Sequence, residues 1–158
     1  MSKIKVGKEA PDVTLAGTAG KGETPWSLGD AAGHHVVIYF YPRDNTPGCT
    51  QEGESFTALY AEFKKAKTMI FGISADSVDS HEKFKKKMGF PFDLLSDPDQ
   101  RVCKLYDVIQ EKNMYGKKYM GIERSSFLID GAGVLRQEWR KVKVNGHAEA
   151  VLAAVKAL

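Results

Sequence analysis

The run Val36-Val-Ile-Tyr-Phe-Tyr41 is apolar, β-branched or aromatic throughout, with no polar alternation. A strand of that composition has no face to give to water. It belongs in the middle of a sheet covered on both sides. Pro42 closes the run, and Thr46-Pro-Gly-Cys-Thr50 opens the next element. Thr46 suits a helix N-cap and Pro47 the first helical position. Cys49 then falls in the first helical turn, where unpaired amides and the positive end of the macrodipole favour a thiolate. A thiolate is the nucleophile, so Cys49 is a candidate catalytic residue. A buried, inert thiol is the other reading of that placement.

Periodicity fills in the rest. A helix is predicted from residue 48 to about 66, with Phe56, Leu59, Tyr60 and Phe63 forming one apolar stripe. Met69–Ser74 reads as a second buried strand. A helix follows over Ser77–Met88, with Val78, His81, Phe84 and Met88 on one side and Gly89-Phe-Pro91 as its stop. His81 is read as a packing or surface residue. Asp97-Pro-Asp99 opens a short helix through Tyr106. Ser126–Asp130 is a strand, Gly131-Ala-Gly133 a turn, and Val134–Lys141 a strand returning as a hairpin. The last helix spans Gly146–Leu158. Gly17–Pro25 is rich in turn formers and reads as a loop. The order predicts an α/β fold, a mixed central sheet flanked by helices on both faces, in one domain over residues 1–158.

Composition narrows the function. The chain has 158 residues, 42% hydrophobic and 27% charged, an ordinary globular balance. A net charge of +3 gives no footprint for nucleic acid, and Lys64, Lys65, Lys67 and Lys85–Lys87 read as solvated helix faces. No apolar run approaches a bilayer span, and the N-terminal lysines precede no apolar core of a signal peptide. Two distant cysteines, Cys49 and Cys103, form neither a Cys-x-x-Cys dithiol nor a metal-ligand spacing, and they suit a reducing cytoplasm. Neither a dinucleotide fingerprint nor a P-loop is present, so no cofactor and no metal are expected.

Pro42, Thr46 and Cys49 spell Pro-x-x-x-Thr-x-x-Cys, and the local string is Thr46-Pro-Gly-Cys-Thr50 with Glu52 beyond it. This resembles the peroxidatic loop of the peroxiredoxins, in the version of the peroxiredoxin Q, or bacterioferritin comigratory protein, subfamily. Gly7–Val13, Leu94–Asp99 and Arg124–Asp130 are similar to further family segments, so the resemblance covers nearly the whole chain. It implies a thioredoxin-like fold with the peroxiredoxin N-terminal extension. It also implies a thiol peroxidase that reduces hydrogen peroxide or organic hydroperoxides, recycled by thioredoxin or a small thiol, and commonly a monomer.

The resemblance assigns roles residue by residue. Cys49 would attack the peroxide and become a sulfenic acid. The Thr46 hydroxyl would bind the peroxide while capping the helix. Gly48 and Cys49 amides would add donors, and Pro42 would shield the sulfur from water. Arg124 would supply a fixed cation; read without the family it is a surface residue. Glu52 would orient Arg124, or is simply a first-turn acid favoured by the helix dipole. Arg43 acquires no role.

The chain departs from the family in its second thiol. The position five residues after Cys49 is Glu54, and the matching stretch of the next helix, Phe84-Lys-Lys-Lys87, has no cysteine. Cys103 is read as a buried structural thiol, or else as a resolving cysteine reached by local unfolding. The expectation is a one-cysteine cycle completed by an external thiol. A redox sensor that signals through oxidised Cys49, and a scaffold with an inert thiol, are the competing functions.

Overall fold

The computed structural model describes residues 4–18 and 25–158. Most of the expected Gly17–Pro25 loop, residues 19–24, lies outside the described residues. The elements in chain order are β1 (Thr14–Leu15), β2 (Trp26–Ser27), β3 (His35–Phe40), α1 (Pro47–Ala58), α2 (Tyr60–Lys65), β4 (Thr68–Ser74) and α3 (Val78–Met88). There follow β5 (Asp93–Ser96), α4 (Arg101–Leu105), β6 (Ile109–Met114), β7 (Lys117–Ile122), β8 (Ser125–Ile129), β9 (Leu135–Trp139) and α5 (His147–Lys156).

The apolar run around β3 sits at the centre of a five-stranded sheet of order β5-β4-β3-β8-β9. It pairs parallel to β4 and antiparallel to β8, so the sheet is mixed. Successive side chains of β3 point to opposite faces. Val36, Ile38 and Phe40 join one core with Trp26, Val102, Cys103 and Tyr106. Val37, Tyr39 and Tyr41 join the other with Cys49, Phe56, Phe63, Phe84 and Val151. Helices α1, α2, α3 and α5 therefore contribute to one core, and α4 with the N-terminal pair β1–β2 to the other.

One expectation is corrected and two unpredicted features are added. The predicted helix from 48 to 66 is two helices, because the Leu59 amide bonds Phe56 O at 3.2 Å in a tight turn that interrupts the α ladder. A strand β5, absent from the periodicity reading, forms the parallel edge beside β4. The stretch between α4 and β8 holds a separate hairpin, β6–β7, turned at Tyr115 and Gly116 with positive φ. At α3 the helix signals and the structure coincide. The Ser77 hydroxyl accepts from Ser80 N at 3.1 Å to cap α3, and Gly89 ends it at φ 69°.

Candidate active site

The end of β3 and the start of α1 deliver Cys49 to the edge of the helix-side core, where it is 2% exposed. Thr50 N makes the first helical bond, to Thr46 O at 2.9 Å. The Gly48 and Cys49 amides precede it and carry the dipole's positive end. Arg124, in the connection from β7 to β8, reaches the same place across the fold. Its Nη2 donates to Cys49 Sγ at 3.3 Å, and its Nη1 donates to Glu52 Oε1 at 2.6 Å. Glu52 comes from the first turns of α1, so helix and arginine are tied twice.

Glu52 is therefore no solvated first-turn acid: its side chain is 1% exposed, against 16% for Arg124. Burial drives its carboxyl up to about 7, with the charge and hydrogen bond of Arg124 pulling the other way. Glu52 Oε2 is buried with no hydrogen-bond partner among the described residues. Gly48 leaves room for the guanidinium, since a Cβ there would lie 3.0 Å from Arg124 Nη2.

The other expected residues stand differently. Thr46 is at the N-cap, but its hydroxyl does not cap the helix. It donates instead to Arg43 O at 3.0 Å, which the left-handed Asn45 (φ 61°) brings round beneath it. The hydroxyl's acceptor lone pairs are left for another donor. Pro42 is exposed on the connecting turn. Cys103 is fully buried in the other core, across the sheet from Cys49. At the positions where a resolving thiol was sought, Glu54 is exposed, Phe84 is core, and Lys85 binds Asp93 at 2.6 Å.

Sequence reading missed several neighbours. Lys112, on the β6–β7 hairpin, has its ammonium pushed down by burial and then by Arg124, while Glu123 and Cys49 act the opposite way. That places a second cation in the field of the site. His147, at the start of α5, bonds Ser126 Oγ at 2.7 Å and is pushed down to about 4 by burial and then by Arg124, so it stays neutral beside the arginine. His81 is the packing residue of its two readings, fully buried, but its bond to Asp44 was not foreseen. Only side chains brought together from distant elements reveal these three, and none carries a local motif.

Residues 6–138 match the model of the AhpC/TSA family. The chain is 59% identical to Peroxiredoxin Bcp of Xanthomonas campestris pv. campestris over 136 residues, 86% of this chain and 85% of that protein. A solved structure of Xanthomonas campestris Peroxiredoxin Q aligns with TM-score 0.85 at 56% identity, covering 92% of this chain and 90% of the other. A structure of the Xanthomonas campestris Bacterioferritin Comigratory Protein, solved for its alkyl peroxide reduction activity, aligns with TM-score 0.87 at 52% identity, covering 97% and 98%.

Proposed function

Because this chain belongs to the AhpC/TSA family, among the Bcp-type peroxiredoxins, and is a thiol peroxidase, we propose that Cys49 is its peroxide-attacking residue. The observation that carries the assignment is the 3.3 Å bond from Arg124 Nη2 to Cys49 Sγ, with Glu52 fixing the same guanidinium. The thiolate attacks one peroxide oxygen in line. An S–O bond forms, the O–O bond breaks, and hydroxide or alkoxide leaves and takes up a proton. Sulfur is oxidised to the sulfenic acid and the peroxide is reduced. Arg124 stabilises negative charge first on sulfur and then on the departing oxygen, a role suited to a guanidinium that stays protonated. The free lone pairs of Thr46 Oγ1 and the amides of Gly48 and Cys49 hold the peroxide, and Pro42 limits water. These contacts favour hydrogen peroxide and small organic hydroperoxides.

The second half of the cycle is external. An incoming thiol attacks the sulfenic sulfur, an S–S bond forms and water leaves; a second thiol then releases Cys49. Thioredoxin or a small thiol is the proposed reductant. The reading is supported by the distance in the fold between Cys49 and Cys103 and by the empty resolving positions. Cys49, Glu52 and Arg124 all come from one chain, so a monomer suffices. Both cysteines are free thiols, which suits the cytoplasm.

The test is brief exposure of the reduced protein to one equivalent of hydrogen peroxide, followed by intact mass. A gain of about 16 Da that dimedone traps, absent in Cys49→Ser, is expected for a sulfenic acid. A loss of about 2 Da would mean a disulfide with Cys103 and end the one-cysteine cycle. No change would remove Cys49 from the reaction.

A further inference from the structure

Cys49 is 2% exposed, so a protein thiol has no line of attack on an oxidised sulfur until the start of α1 moves. What fastens that start is a polar cluster under the turn between β3 and α1. Asp44 is buried in this otherwise largely exposed turn. Its carboxylate accepts from Tyr41 Oη at 2.5 Å, from Ser80 Oγ at 2.8 Å and from His81 Nδ1 at 2.8 Å. Its amide donates to Asp76 Oδ2 at 2.8 Å, and the neighbouring Asn45 accepts from Lys87 at 2.9 Å. Ser80, His81 and Lys87 all belong to α3, so the turn is tied to one helix at three points.

Both ring nitrogens of His81 are engaged. Nε2 lies 2.9 Å from Leu95 O, a carbonyl that can only accept. Nδ1 lies 2.8 Å from Asp44 Oδ2 and 3.3 Å from Tyr41 Oη. Burial works to raise the Asp44 carboxyl, but bonds from His81 and Tyr41 outweigh it and hold the group below the usual range. Ring and carboxylate form a buried bonded pair, with His81 0% and Asp44 4% exposed at the side chain.

We propose that the Asp44–His81 pair is a latch that positions the peroxidatic turn and sets how the enzyme divides its time between its two half-reactions. Closed, it holds Thr46 and the first turn of α1 against Arg124 for attack on peroxide. Open, it lets that turn unwind so that an external thiol reaches the sulfenic sulfur. The proposal rests on the reading of Cys49 as the peroxidatic thiol with an external reductant. Asp44 and His81 touch neither sulfur nor peroxide; they are positioning residues.

The two half-reactions can be timed separately on the full chain. Stopped flow with hydrogen peroxide gives the first, and reduction of preformed sulfenic acid by thionitrobenzoate the second. Asp44→Asn and His81→Gln should each slow oxidation and speed reduction, each by about tenfold, and the double variant should do no more than either single one. Ser80→Ala, which keeps the Asp44–His81 bond and removes one donor, should move both rates the same ways by about two- to threefold. It carries the test if a variant of the pair fails to fold. Val155→Ala, in the α5 core, should lower stability and leave both rates alone. Rates that fall together, rates that stay put, or a Val155→Ala protein that reproduces the opposed shifts would overturn the latch. Absence of sulfenic acid in the parent protein would instead overturn the peroxidase assignment of Cys49.

Discussion

Arg124 divides its two amino groups between different partners, Nη1 on Glu52 and Nη2 on the sulfur of Cys49. Removing it takes a directed cation from the sulfur and leaves a buried acid without its counter-charge. Arg124→Met should lower the second-order rate of Cys49 oxidation by about 10²-fold, the scale for deleting one transition-state donor, measured by stopped flow with hydrogen peroxide. Glu52 gives a stability signature. Its folded carboxyl, at about 7, lies above the ordinary value of 4.5. The folded state therefore binds the proton more tightly, and this contribution to stability is full below the ordinary value. It is lost as pH rises through the folded value. Between pH 4.5 and 7 the parent should lose stability with rising pH relative to Glu52→Gln, whose amide has no such titration, in urea melts across that window. Equal slopes would show that the acid stays ionised throughout. The place of Cys49 in the first turn of a helix after a buried strand was legible at this scale. The approach of Arg124 to the sulfur was legible only through family resemblance, because nothing local marks an arginine that reaches across the fold. The Thr46 hydroxyl was misread as a cap, since its bond to Arg43 O depends on the left-handed turn at Asn45.

At the scale of elements, α1 is held by a contact that admits no side chain. A Cβ on Gly53 would meet Phe90 Cζ at 2.3 Å, so the helix lies directly on that ring. Gly53→Ala gains about 1 kcal/mol of helix propensity. It must then displace a ring stacked on Phe92 at 5.2 Å between centroids. Overpacking of this kind costs about 1–3 kcal/mol, so the sum should be destabilising, read as a lower urea midpoint. A higher midpoint would mean that Phe90 swings away freely. The elements that sequence revealed were mostly those with one or two buried faces, β3, β4, α3, β8 and α5, together with the short α4 and the returning strand β9. The β6–β7 hairpin escaped because it stands outside the main sheet and leaves Tyr115, Tyr119 and Met120 exposed. A strand with little buried face has no apolar alternation to read. The break at Leu59 escaped for the opposite reason: Phe56 and Phe63 face one core on both sides of it, so the stripe runs on while the ladder stops.

Across the whole molecule the sheet separates the two thiols. Cys49 packs with Val37, Tyr39 and Tyr41 on one face, and Cys103 with Val36, Ile38 and Phe40 on the other. A disulfide needs Cα atoms within about 7 Å, which would require one of them to leave its core. Cys103 is also a poor nucleophile. Burial, reinforced by Asp97, pushes its thiol far up, so it remains protonated at any working pH. Its amide donates to Asp97 Oδ2 at 2.8 Å, which anchors α4 whatever the side chain does. Cys103→Ser should therefore turn over peroxide with thioredoxin or dithiothreitol within about twofold of the parent. It should change stability by no more than about 1–3 kcal/mol, since Asp97 beside it can accept from the new hydroxyl. Coupled assays and urea melts on the same preparation separate the two effects. If Cys103→Ser forms the sulfenic acid normally but no longer accepts electrons from thioredoxin, Cys103 must cross the sheet during turnover. The one-cysteine cycle would then give way to a cycle with a large, local unfolding step.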